Sequence, residues 1–173
     1  GYSYWLVFLL SIPAGGFMVR TFILFHDCCH GSFFSSRKAN RFVGYLTGVL
    51  TFTAFDEWRR LHNIHHATSG DLERRGTGDV WTMTLSEYKN AGKGKRFIYR
   101  MFRNPLILFG FGPFYLFLIN NRLAQPGAKK AEKLSVWLTN FSIVSIVLTI
   151  SWLFGFKAYL LIQFPIMFFA GAM

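Results

Sequence analysis

Residues Gly1–His30 read GYSYWLVFLLSIPAGGFMVRTFILFHDCCH, and this stretch decides the fold. Positions 1–19 carry no charge, and after Arg20 the apolar character continues to Phe25. A bilayer core about 30 Å thick takes about 20 helical residues to cross. The stretch therefore predicts a transmembrane helix over 1–25 that delivers His26-Asp27-Cys28-Cys29-His30 to one membrane face. It lacks the basic leading region and small-residue cleavage site of a signal peptide. It starts at Gly1 without an initiator Met, and both chain ends lie in apolar sequence, so the chain is expected to be an internal piece of a larger membrane protein.

The same patterning extends outward. Residues 104–121, 134–156 and 158–173 are uncharged, the last run following Lys157. The 173 residues are 52% hydrophobic and 19% aromatic but only 16% charged, too few charges for an ordinary soluble domain. That much apolar surface also excludes disorder. The balance of 19 Lys+Arg against 8 Asp+Glu is strongly basic. A nucleic-acid binder would interleave such charge with its aromatics. Here the charges sit in separate segments, so no nucleic-acid partner is expected. Residues 134–156 and 158–173 read as further transmembrane helices. Residues 42–55 are too short to span and read as interfacial or buried. Gly, Pro and Lys content marks loops at 91–95 and 125–130. The adjacent Cys28 and Cys29 cannot form a disulfide framework, which fits a reducing compartment.

All five histidines fall in two clusters, His26-Asp27-Cys28-Cys29-His30 and His62-Asn63-Ile64-His65-His66. On a helix, residues four apart lie one above the other. His26 and His30 share one face, and His62 lies one turn from both His65 and His66. These five imidazoles are the expected metal ligands; imidazole suits Zn, Cu, Fe and Ni. Five donors exceed one zinc site, and no Glu follows His26 or His62 as a zinc-protease box requires. The spread over several boxes suggests two ions, although spacing does not count them. Ligating imidazoles usually donate their second N–H to a carboxylate. Asp27 and Glu57 are the candidate acceptors, with ion pairing to Arg59, Arg60 or Lys38 as their other reading. Cys28 and Cys29 point to different helix faces and are expected to pack.

The boxes HDCCH and HNIHH, in this membrane context, resemble the first two histidine motifs, HxxxH and HxxHH, of the membrane fatty acid desaturases. The intervening SFFSSRKANRFVGYLTGVLTFTAFDEWRRLH and the following ATSGDLERRGTGDVWTMTLSEY resemble bacterial acyl-lipid desaturases of the Δ12/ω6 and Δ5 kind. The resemblance implies an all-α membrane fold whose transmembrane helices carry a cytosolic, histidine-rich cap holding two irons. It implies a reaction that uses O₂ and two electrons to take two hydrogens from an acyl chain. The family's third histidine box is missing from 1–173, so this chain alone is expected to hold part of the site and to be inactive.

If both boxes serve one site, they share a membrane side. Residues 26–104 then form the cap, 104–121 lie in the interface or re-enter, and 134–156 and 158–173 cross. Segment 26–104 has 13 Lys+Arg and 7 Asp+Glu, which places it in the cytoplasm by the positive-inside rule. Arg20, about 9 Å before His26 along a helix, would snorkel to the headgroups. The expected location is a bacterial cell membrane with the boxes facing the cytoplasm. The basic cap could hold anionic headgroups or steer an acidic electron donor such as ferredoxin or a cytochrome b5-like protein. Phe33, Phe34, Phe52, Phe55 and Trp58 could line an acyl tunnel, and Gly70–Trp81 could form a cap loop. The alternatives are a fatty-acid hydroxylase or related di-iron oxygenase and, in a different class, a His-lined metal transporter or sensor. Transport calls for ionisable residues in mid-span, and these runs are clean apart from Arg20.

Overall fold

The structure is a computed structural model that describes residues 3–76, 78 and 80–173; all its regular elements are helices. Thr77 and Asp79, inside the expected cap loop, lie outside the described residues, as do Gly1 and Tyr2. The first helix, α1 (Tyr4–His30), runs unbroken through Pro13 into the first histidine box. Gly31 stops it. At φ 70° its backbone takes the left-handed form that L side chains disfavour, and its N–H caps the carbonyls of Asp27 and Cys28. His26 and His30 are therefore carried on the last turns of the apolar helix itself.

Helix α2 (Arg37–Leu50) starts at Ser36, whose Oγ accepts from Ala39 N–H. Buried Asn40 ties down the connection from α1. Its amide donates to the carbonyls of Phe34 and Ser36, and its oxygen accepts from Phe34 N–H. At 14 residues, α2 is too short to cross a bilayer, as its sequence indicated. Helix α3 (Phe55–Thr68) carries the second box. The turn between α2 and α3 contains Phe52 at φ 56°, a strained setting for a non-glycine residue. Its carbonyl accepts from Asn121 Nδ2 at 3.1 Å and from the Arg122 guanidinium, so the later part of the chain holds the turn.

Short helices α4 (Leu85–Asn90) and α5 (Lys93–Phe102) follow. The expected loop at 91–95 shrinks to the break at Ala91-Gly92, because Lys93–Lys95 already belong to α5. The uncharged run 104–121 is broken into a π-helical turn (Leu106–Phe111), α6 (Gly112–Leu118) and a 3₁₀ turn (Asn120–Arg122). Pro113 lacks the N–H that a continuous ladder needs. Together this unit bends by 56° against α5. Helix α7 (Lys130–Phe154) begins four residues before the uncharged run, and Gly155, at φ 88°, turns the chain into α8 (Phe156–Ala172).

Helices α1 and α7 are long and apolar enough to cross a membrane, and α8 is a shorter apolar helix of 17 residues. Helix α1 packs on α8 and α2, and α7 packs on α8 and α3. The best-buried cluster joins α1 to α3 through Phe25, Cys28, Cys29 and Phe55. This agrees with a packing role for the two cysteines. Large apolar side chains elsewhere on α1 and α7, including Trp5, Phe17, Trp137 and Trp152, are exposed, as lipid-facing residues are.

Candidate metal centre

Helix α3 is fixed to α1 by aromatic contacts that lead from the apolar interior to the imidazoles. Phe25 meets Phe55 edge-on with centroids 6.1 Å apart and meets Trp58 at 5.1 Å. Trp58 in turn stacks on His62, with centroids 4.1 Å apart and planes 21° apart. On its other side α3 is tied to α7. Asp56 N–H, an orphan donor of the first helical turn, donates to buried Ser135 Oγ at 3.1 Å. Glu57 Oε1 accepts from Gln125 N–H at 2.8 Å and from Arg60 at 3.1 Å.

These anchors bring the two boxes together. One ring nitrogen each from His26, His30, His62 and His66 lies within 4.8 Å of all the others. His62 is the hub: its Nε2 is 3.0 Å from His26 Nε2 and 3.0 Å from His66 Nε2. His65 is set aside from this group, its ring centroid 6.0 Å from those of both His62 and His66. The convergence of five expected from spacing is thus a convergence of four with His65 alongside. His66, four residues on, meets His62 edge-to-face with centroids 4.4 Å apart, while His65, three residues on, shares the broad face but stands farther off.

The two expected carboxylates differ. Asp27 Oδ1 accepts from His26 Nδ1 at 3.1 Å, which leaves the Nε2 lone pair of His26 facing the cluster. Glu57 bonds Arg60 and Gln125 N–H and docks α3 on the segment before α7; of its two expected roles, the structure shows the ion pair with Arg60. The glycine-rich segment lies against the second box. A Cβ on Gly78 would stand 2.9 Å from His65 Cβ, and the backbone there has φ +78°. No periodicity could have marked that contact.

The donor set fits a metal ion. With its proton on Nδ1, His26 presents a lone pair at Nε2. A single proton on His62 Nε2 cannot point at both His26 and His66. A cation among them would receive all three lone pairs. Two nitrogens bound ~2.1 Å from one ion at right angles stand ~3.0 Å apart, as these do. Burial, then repulsion by His26, His66, His30 and His65, pushes the His62 pKa down to about 4. His62 is therefore neutral at physiological pH, the form that binds metal. Four imidazoles accommodate one ion; two ions would need His65 and further donors.

The Asp27 contact yields a first expectation. Asp27→Asn keeps the shape but no longer demands the proton on His26 Nδ1, so metal affinity in the complete protein should fall about 10- to 100-fold. Chelator competition measures it, and unchanged affinity would remove the orienting role.

A cavity lies on the apolar side of Trp58, the indole that stacks on His62. It holds about 300 Å³ and is lined by Phe22, Trp58, Phe117 and Ala170 among others. Of the five aromatics expected to line a tunnel, only Trp58 does. Phe55 is in the packed core, Phe33 and Phe34 are exposed, and Phe52 packs against Phe117.

The family model for fatty acid desaturases matches residues 3–173. The chain is 46% identical over 170 residues to a fatty acid desaturase of Bacillus subtilis (strain 168), covering 98% of this chain and 48% of that one. It is 29% identical over 154 residues to the sn-1 acyl-lipid omega-3 desaturase (ferredoxin) of Synechocystis, covering 85% of this chain and 39% of that protein. An endoplasmic-reticulum omega-3 fatty acid desaturase of Vigna radiata is 35% identical over 117 residues, 66% of this chain and 29% of that one. No solved structure matches. The chain spans about half the length, or less, of these relatives. With two histidine boxes meeting at the end of an apolar helix, and a family match running from residue 3 to residue 173, the chain belongs to the fatty acid desaturases.

Proposed function

We propose that the complete protein is a membrane-bound, O₂-dependent di-iron desaturase that places a double bond in the acyl chain of a membrane lipid. The convergence of His26, His30, His62 and His66 carries the reading, since family membership alone does not gather donors in space. The balanced reaction is –CH₂–CH₂– + O₂ + 2 e⁻ + 2 H⁺ → –CH=CH– + 2 H₂O. Bound iron would supply the oxidant for an unactivated C–H bond, which no side chain can do.

The chain's own residues do the positioning. His26, His30, His62 and His66 hold one ion. His65, kept beside them under Gly78, contributes with donors from the remainder of the protein to a second. Asp27 fixes the proton of His26. The cavity at Trp58 admits the apolar chain and excludes water, and the indole packed on His62 sets how closely the acyl carbons approach. Helices α1, α7 and α8 cross the bilayer, and the bent unit around 104–121 lies in the interface. The boxes face the cytoplasm of a bacterial cell membrane, an orientation that the 13 Lys+Arg against 7 Asp+Glu of 26–104 support. A ferredoxin or a cytochrome b5-like protein supplies the electrons.

Lipid analysis of cells expressing the complete protein tests the reading. A new acyl double bond that depends on O₂ is expected. An added hydroxyl in its place would make the protein a hydroxylase, and unchanged lipids in iron-loaded membranes would contradict the proposal.

A further inference from the structure

The turn that leads into the second box is gripped from one short segment of the chain. Phe52, at φ 56°, holds a backbone form that persists only where its surroundings over-determine it. Its carbonyl takes two donors from adjacent residues, Asn121 Nδ2 at 3.1 Å and the Arg122 guanidinium. Arg122 is half-buried, and burial lowers its pKa to about 10, so it is charged at physiological pH. A charged donor bonds a carbonyl more strongly than a neutral one. Arg122 is held to α7 by a reciprocal pair. It donates to Asn140 Oδ1 at 2.8 Å, and Asn140 Nδ2 donates to the Arg122 carbonyl at 2.9 Å. Three residues on, Gln125 N–H donates to Glu57 in the first turn of α3. This segment therefore fixes the box helix at two points. The same contacts border the cavity at Trp58. Thr51 and Thr53 of the turn form one part of its wall, and Leu116 and Phe117 of α6 form another. The Phe52 and Phe117 rings lie 6.1 Å apart.

We infer that Arg122 is a positioning residue that couples filling of this cavity to the placement of His62 and His66, an inference that rests on the desaturase reading above. An acyl chain that enters between α6 and the turn presses on both walls. A ligand shifts a conformation only as far as its contacts differ between the two states, and these wall contacts supply the difference. Through the Phe52 carbonyl the displacement reaches Ala54, the residue that opens α3, and so the helix that carries the box. A small shift is enough, because misplacement by about 1 Å can cost about 100-fold in rate. Metal retention does not depend on the Arg122 bonds, since Phe25, Phe55 and Trp58 join α1 to α3 without them. Arg122 thus acts on the alignment of the donors and not on the presence of the ions. Oxygen use then follows acyl-chain binding.

The test uses the complete, iron-loaded protein in detergent, and the probe is total lipid extracted from host cells that lack the protein. Without O₂, lipid should shift the near-infrared magnetic circular dichroism of the reduced wild-type iron site. Arg122→Gln should keep its iron, since Asn121 and the aromatic contacts remain, and should lose that shift. With O₂ and a small redox mediator as the electron source, the wild type should consume about one O₂ per double bond, and Arg122→Gln about tenfold more, with the KM for lipid within about twofold. Arg122→Lys keeps a charged donor but cannot reach Phe52 and Asn140 together, and should recover part of both readouts. Lys95→Gln, an equal loss of charge on α5, should change neither. A normal lipid response and normal coupling in Arg122→Gln would overturn the inference. So would loss of iron or fold in both Arg122 variants, because the bonds would then only hold the structure. A wild-type protein that makes double bonds but whose iron spectrum ignores lipid would overturn it as well. A wild-type protein that neither holds iron nor forms a double bond would defeat the underlying desaturase reading, and the coupling with it.

Discussion

His62→Ala in the complete protein is expected to abolish product formation, by a factor of about 100 or more, and to release at least one metal ion per chain. The expectation exceeds that for the other ligands because His62 is the hub. Its Nε2 stands 3.0 Å from two other donors, and its ring is the one that Trp58 covers. Removing it leaves three donors, and between the helices only the looser approach of His30 on α1 to His66 on α3, with centroids 5.1 Å apart, among the cluster imidazoles. An outer partner of a ligand is worth about 10- to 100-fold in affinity, so a ligand itself is worth more. The fold should survive, because the contacts that join α1 to α3 are Phe25, Phe55 and Trp58, none of which the substitution removes. Metal analysis, product analysis and membrane insertion are measured on the same preparation. Retained metal and turnover would show that the cluster is not the site.

The second large effect is expected at a residue without a side chain. A Cβ on Gly48 would stand 2.5 Å from the Thr53 carbonyl oxygen and 2.9 Å from Phe25 Cε2. Neither neighbour can yield. Thr53 belongs to the strained turn held by Asn121 and Arg122, and the Phe25 ring is fully buried. Gly48→Leu should therefore push α2 and the turn away from α1. Overpacking of this kind costs about 1–3 kcal/mol. The consequence for function is larger than that figure, because the turn sets where α3 begins and hence where His62 and His66 meet His26. Iron loading should fall several-fold with the loss of thermal stability. Gly16→Ala, on α1 with nothing within 4 Å of its added Cβ, should change neither. A stable, fully loaded Gly48→Leu protein would mean that the turn does not position the second box.

The apolar helices and the two boxes were legible because both signals are local. Nineteen uncharged residues announce a span, and a spacing of four places His26 over His30 and His62 over His66 without any knowledge of partners. The adjacent cysteines read correctly as packing for the same reason. What spacing could not resolve was the difference between three residues and four in HNIHH, which sets His65 aside. The ion pair of Glu57 with Arg60, three residues on, was among its legible roles, but its bond from Gln125 N–H was not, since that donor lies 68 residues away. The lining of the cavity at Trp58 was not legible either. Phe33, Phe34 and Phe55 lie near the boxes in sequence, but the cavity at Trp58 is lined in part by Phe117 and Ala170 from distant helices.

The most direct test of the whole account is iron content together with X-ray absorption at the iron edge on the purified complete protein. Two irons per chain in a coordination sphere dominated by imidazole nitrogen are expected, with fewer in His62→Ala. Protein that is folded and membrane-inserted yet holds no iron, or iron without imidazole scattering, would contradict it.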